Sequence, residues 1–202
     1  MKKSTRKIMI AFFVMIVVAA LVLFGYYMLS SSGEEKGAEA ELPATEVEKI
    51  LAKDLELKYP ETPSEVVKLY WRINKCMYNQ TKGMSDEDFE ALLKQLRMLY
   101  DEEFLSVEEN SWDNMLMKFE ADKTVFVEKK RMISSYVIQE DKDVTYNTID
   151  GQECATLYAD VIEMEGEENA RSRGEFICRK DTSGKWKILG WKQVANKEKK
   201  EK

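Results

Sequence analysis

The chain has 202 residues, with 31 basic and 37 acidic side chains, no histidine and a formal charge of −6. That is room for one domain plus an anchor or tail, and the acidic balance offers no basic field for nucleic acid. The lack of histidine excludes Ser-His-Asp and Cys-His catalysis and removes the commonest zinc ligand.

Residues 1–7 form a basic stub carrying Lys2, Lys3, Arg6 and Lys7. Residues 8–29 follow as an uncharged run of 22, IMIAFFVMIVVAALVLFGYYML. A helix needs roughly 20 apolar residues to cross a ~30 Å hydrocarbon core, so this run is expected to span a lipid bilayer. The cations precede it, and the first charges after it are Glu34 and Glu35. The positive-inside rule then keeps the N-terminus cytoplasmic and translocates the rest. Tyr26 and Tyr27 suit the outer interface. A cleaved signal peptide is the competing reading. Its apolar core is typically ~7–15 residues, followed by an A-x-A pattern. Here the run is longer and Tyr-Tyr-Met-Leu is a poor cleavage context, so an uncleaved single-pass anchor is expected. Residues 30–43, SSSGEEKGAEAELP, read as a flexible acidic linker. Residues 196–202 read as a charged tail.

Residues 44–195 are expected to form one extracytoplasmic α+β domain. The first helix begins at Thr45, with Val47, Ile50, Leu51 and Leu55 at helical spacing. The second starts at Thr62-Pro63-Ser64-Glu65, with Thr62 as cap, Pro63 at the first helical position and Glu65 closing a capping box. Val66, Leu69, Tyr70, Ile73 and Met77 make its stripe, and Gly83 ends it. The third starts at Ser85 with Asp88 three residues on; Phe89, Leu92, Leu93, Leu96 and Leu99–Tyr100 form its stripe. The fourth starts at Asn110 or Ser111 and carries Trp112, Met115, Leu116, Phe119 and Phe126. Its end is open, because Thr124–Val127 has strand propensity too. From Met132 the period shortens. Extended segments are expected over 133–139, 144–148, 154–165, 171–180 and 186–194, with turns at Asp150-Gly151, Gly166–Asn169 and Asp181–Gly184. Helices followed by an antiparallel meander predict helices packed on one face of a curved antiparallel sheet of about four strands.

Along 154–165, Ala155, Leu157, Ala159 and Val161 share one face and Thr156, Tyr158 and Asp160 the other. By parity Cys154 points away from Cys178. A bond between them is geometrically disfavoured, so three packed thiols are expected, although an extracytoplasmic compartment favours disulfides. Trp186 and Trp191 fall on opposite faces of the last strand, one toward the core and one toward the convex surface. With Ile188 and Leu189 alternating beside them, the convex sheet face is a candidate surface for a homodimer or an envelope-complex partner.

The order of elements, from the TPSEVVKLYW helix through SDEDFEALLKQL to the DGQECATLYADV, GEFICRKD and GKWKILGWKQV strands, resembles the nuclear transport factor 2-like fold over about residues 45–195. That resemblance implies a cone of helices held in a curved sheet. The whole chain also looks like uncharacterised single-pass proteins of Gram-positive Clostridia, a domain of unknown function. Enzymes of the cone superfamily place a Tyr, Asp or His inside it. The types available are Tyr70, Tyr78, Tyr136, Tyr146, Tyr158, Asp160 and Glu175, and no spacing singles out a pair. Trp71, Trp112, Trp186 and Trp191 are candidates to line an apolar pocket or to pack the core. The 11 methionines read as core filler. Asn79-Gln80-Thr81 matches a glycosylation acceptor, and Asp86-Glu87-Asp88 suits a helix N-terminus better than calcium. No catalytic, metal-ligating or cofactor-binding residue is assigned. The expected function is a non-enzymatic, membrane-anchored interaction or scaffold domain. A module for a small apolar ligand in the cone stands second and a pocket isomerase or dehydratase third.

Overall fold

The computed structural model describes residues 45–79 and 83–195. The stub 1–7, the apolar run 8–29, the linker 30–43, the tail 196–202 and the Gln80-Thr81 half of the glycosylation motif lie outside the described residues. Among the described residues, no helix is long and apolar enough to cross a membrane.

Among the described residues, five α-helices precede the sheet. They are α1 (Glu46–Leu51), α2 (Pro63–Asn79), α3 (Asp86–Arg97), α4 (Glu102–Ser106) and α5 (Trp112–Glu128). Local chemistry starts each of the first three. Thr45 and Glu48 form a reciprocal capping box on α1. Thr62 accepts from the Glu65 N–H at 3.2 Å, but the Glu65 carboxylate reaches the Glu61 N–H at 3.0 Å, one residue earlier than a capping box requires. Ser85 accepts from the Asp88 N–H at 3.0 Å. The fourth helix is an addition to the sequence reading; Asp101 caps it through the Glu103 N–H. Thr124–Val127 lies inside α5, so helical continuation wins over local strand propensity there.

The sheet has five antiparallel strands, one more than expected: β1 (Arg131–Ile138), β2 (Thr145–Ile149), β3 (Gln152–Glu165), β4 (Glu168–Lys180) and β5 (Trp186–Val194). Their order is β1-β3-β4-β5, with β2 also on β3. The extra strand fits because β3 is long. Its end, from Ala159, pairs with β1, and its start, Gln152–Thr156, pairs with β2. Asp150 and Gly151 both hold positive φ, +49° and +78°, as a two-residue type I′ hairpin loop demands. The next reversal is tighter than the four residues expected, since β4 already begins at Glu168.

The core lies between the helices and one sheet face. Ile50, Val66, Ile73, Met77, Leu92, Leu93, Leu96, Leu157, Phe176 and Ile188 are all fully buried there. At roughly 1.5–3 kcal/mol for each large apolar side chain, this burial is the main favourable term in folding. Parts of the β1 and β5 edges are covered. Side chains of α2 satisfy the backbone of β1: Asn79 pairs with Ile133 N–H and C=O, Lys75 donates to the Ser134 carbonyl and Ser64 to the Gln139 carbonyl. Leu99–Asp101 pairs with β5 through Asp101 N–H to Ile188 O (2.9 Å) and Ile188 N–H to Leu99 O (2.8 Å). So α3 ends at Arg97, and Leu99–Tyr100 serves the sheet instead of a helical stripe. Covering edges in this way removes templates for strand addition.

One local irregularity rearranges the aromatic residues. The β4–β5 register shifts between Ile177 and Cys178: Ile177 faces Gly190, while Cys178 faces Ile188. Leu189 is the extra residue, a bulge that reverses the side-chain alternation beyond it. Trp191 therefore sits opposite Phe176 on the core side, as Trp186 does, and parity counted along an unbroken strand misplaces it. Cys178 faces Ala155 and Cys154 faces Arg179, on opposite sheet faces. All three cysteines are buried and none is in a disulfide.

Candidate functional site

On the concave side, a cleft of about 140 Å³ opens between α2, α5 and the end of β5. The α2 wall is Tyr70, Asn74 and Tyr78, spaced i, i+4, i+8 on one helix face. The α5 wall is Met115, Phe119 and Asp122, at helical spacing again. Tyr100 enters from the strip paired with β5, Phe104 from α4, and Trp191 from β5 beyond the bulge. Trp191 remains 41% exposed and forms the mouth.

The rings hold one another in place. Tyr78 is stacked between Phe119 (5.9 Å) and Phe126 (4.5 Å). Tyr100 packs against both Phe104 (4.6 Å) and Trp191 (5.8 Å), which are themselves 5.4 Å apart. Tyr70 meets Phe176 edge-on at 5.4 Å. These ring contacts leave the phenol oxygens as the polar groups that Tyr78 and Tyr100 bring to the cleft. The Tyr78 hydroxyl lies 3.5 Å from Asp122 Oδ2. Asn74 is 4% exposed; its Nδ2 donates to the Tyr70 carbonyl at 2.8 Å, which leaves Oδ1 as the acceptor for the cleft. Burial pushes the Tyr70, Tyr78 and Tyr100 phenols up from their ordinary range, and Asp122 adds to the effect on Tyr78. All three therefore stay protonated near neutral pH, shifted away from general-base use.

Of the residues the sequence offered, the cleft gathers Tyr70, Tyr78 and Trp191. The others scatter. Tyr136 lines an outer groove between α2 and β1. Tyr146 is exposed, 5.8 Å from the buried Trp186 ring. On the convex sheet face, Tyr158 donates to Glu175 at 2.8 Å, Lys192 pairs with Glu175 at 2.9 Å, and Asp160 pairs with Arg171 and Arg173. Hydrogen bonds from Lys192 and Tyr158 hold the Glu175 carboxyl below its usual range. Trp71 packs on Tyr70, and Trp112 lies under Lys94 and Arg97. Sequence reasoning missed Asn74, Tyr100 and Asp122. The i, i+4, i+8 spacing could have found Asn74, but nothing local marks the other two. Among the described residues, no group of three or more Cys, Asp or Glu is placed to hold a metal ion.

The fold and cleft define an α+β domain with helices on one face of a five-stranded antiparallel sheet and a small polar-floored cleft at its mouth. The chain belongs to the family described as Domain of unknown function (DUF6715), whose model matches residues 1–191. No curated protein matches it.

Proposed function

We propose that the chain is a membrane-anchored, non-enzymatic interaction domain of the nuclear transport factor 2-like kind. In this reading residues 8–29 cross the bilayer, residues 1–7 stay in the cytoplasm and residues 44–195 stand outside it. The observation that supports it best is the packed interior. Ile50, Ile73, Met77, Leu96, Phe176 and Ile188 fill the space between helices and sheet, and the cleft between α2, α5 and β5, about 140 Å³, is well below the ~300–1,000 Å³ of drug-sized ligand pockets, while grooves of 320–620 Å³ lie elsewhere among the described residues. A filled cone serves as a rigid platform, and the partner docks on its outside.

The convex sheet face is the proposed platform, for a second copy or for an envelope-complex protein. Without Trp191 that face is more polar than its alternation implied. Its middle is the Asp160–Arg171–Arg173 and Tyr158–Glu175–Lys192 network, flanked by Val137 (66% exposed) and Ile149. A mixed face of this kind suits a non-obligate interface. A photo-crosslinking residue placed at Val137, and at the still more exposed Leu57 (83%) as control, tests the reading in cells making the full-length chain. Adducts are expected from position 137 and not from 57, together with digestion of the domain by protease added to wall-stripped cells. Adducts from neither position, or a domain that resists the protease until the cells are lysed, would overturn it.

A further inference from the structure

The cleft carries an acceptor-rich floor that a purely structural aromatic cluster does not need. Asn74, a buried residue of the cleft wall, gives one Nδ2 hydrogen to the Tyr70 carbonyl and keeps Oδ1 as an acceptor at the cleft surface. Asp122 is an acceptor-only carboxylate beside the Tyr78 hydroxyl. Glu109 adds a second carboxylate to the wall, and Lys118, exposed on α5, is the cation facing them. Each phenol supplies a lone pair as well as a proton. The ring contacts of Tyr78 with Phe119 and Phe126, and the mutual cluster of Tyr100, Phe104 and Trp191, hold those phenols in place before any ligand arrives.

This donor and acceptor balance selects among ligands. An anion would meet Asp122 and Glu109. A purely apolar molecule would displace water from Asn74 Oδ1 and the carboxylate without pairing them, which is costly. A primary ammonium group brings three donors and a positive charge, the complement of one carboxylate, one amide oxygen and one phenol oxygen. The volume, about 140 Å³, matches the ~150 Å³ of a cavity that takes a benzene-sized guest. We infer that the cleft is a binding site for a small molecule carrying a primary ammonium group, held by Asp122 and Asn74 with the tyrosine hydroxyls and covered by Trp191. The apolar-ligand alternative for the cone is thereby replaced by a cationic one. The inference does not depend on the convex-face platform.

The test is a titration of the full-length chain in nonionic detergent, at fixed pH and ionic strength, followed by tryptophan fluorescence and thermal shift. The probes are n-propylammonium, tetramethylammonium, 1-propanol and propionate. Saturable binding of n-propylammonium is expected. Tetramethylammonium, which has the charge without the N–H donors, and neutral 1-propanol should each bind about tenfold more weakly or worse, a gap of ~1.4 kcal/mol. Propionate should not bind. D122N should weaken n-propylammonium by about tenfold while keeping its far-UV circular dichroism. No saturable response to n-propylammonium, or an equal response to 1-propanol, overturns the inference on the unmodified chain alone. An unchanged affinity in folded D122N overturns the role of the carboxylate and with it the stated chemistry.

Discussion

Replacing Asp101 should reveal how the helical half is fastened to the sheet. Asp101 is 4% exposed, caps α4 through the Glu103 N–H at 2.9 Å, and takes a two-pronged contact from Arg179 on β4, with Nε to Oδ2 at 3.0 Å. Glu103 holds the same guanidinium at 2.8 Å. The Asp101 hydrogen bonds, more than any other neighbour, raise the Arg179 pKa above its ordinary value. Removing one member of a buried pair typically costs ~3–5 kcal/mol. Arg179 keeps some solvent and Glu103, so about 2 kcal/mol is expected for D101N, which retains the capping oxygen. D101A loses the cap as well, worth ~1 kcal/mol, for about 3 kcal/mol in total. R179M alone should cost about as much as D101A, because it strands the carboxylate. The double variant D101N/R179M should cost less than the sum of its singles by ~2 kcal/mol. Urea unfolding of the full-length chain in detergent, read by tryptophan fluorescence, gives all four values. A coupling below ~0.5 kcal/mol, or equal losses for D101N and D101A, would refute the fastening role.

Two further outcomes follow from the packing. Deleting Leu189 removes the bulge and leaves Trp191 two positions after Ile188 in regular alternation, so the ring should stay opposite Phe176 on the core side with Tyr70, Tyr100 and Phe104. A loss below ~1 kcal/mol is expected, with unshifted emission; red-shifted emission would show that the ring needs the bulge itself to reach the core side. Burial pushes the Cys178 thiol up to about 12 and the Cys76 thiol up to about 11, so the thiolate of Cys178 at about pH 8 is only on the order of one part in 10⁴. An aromatic disulfide reagent should leave both untouched in the native chain and label them in concentrated guanidinium, and rapid native labelling would contradict the burial.

What the residues disclosed locally, they disclosed well. Thr45 and Ser85 cap because a hydroxyl three residues before an N–H is satisfied within one turn. Asp150-Gly151 turns because its two positions need positive φ. Alternation along Cys154–Glu165 placed Leu157 and Ala159 inward because the pleat has period two. The failures share one cause. Thr124–Val127 has the propensity of a strand, but the helix it continues was already packed through Met115 and Phe119. Tyr100 looked like the end of a helical stripe, yet its segment leaves the helix to pair with a strand some ninety residues later. Trp191 was assigned by counting twos through Leu189, where the count breaks.

The cleft shows the same division more sharply. That α2 would carry Tyr70 on its apolar stripe, and that the domain would be α+β, followed from spacing alone, since periodicity and caps act over a few residues. That Asp122 would meet Tyr78, and that Trp191 would close over Tyr100, depended on where α5 and the end of β5 came to rest. Those contacts join residues some forty to ninety positions apart, and one extra residue in a strand reverses which face a side chain takes. No short-range pattern encodes such pairings, because their energy comes from packing that exists once the sheet and helices have closed on each other.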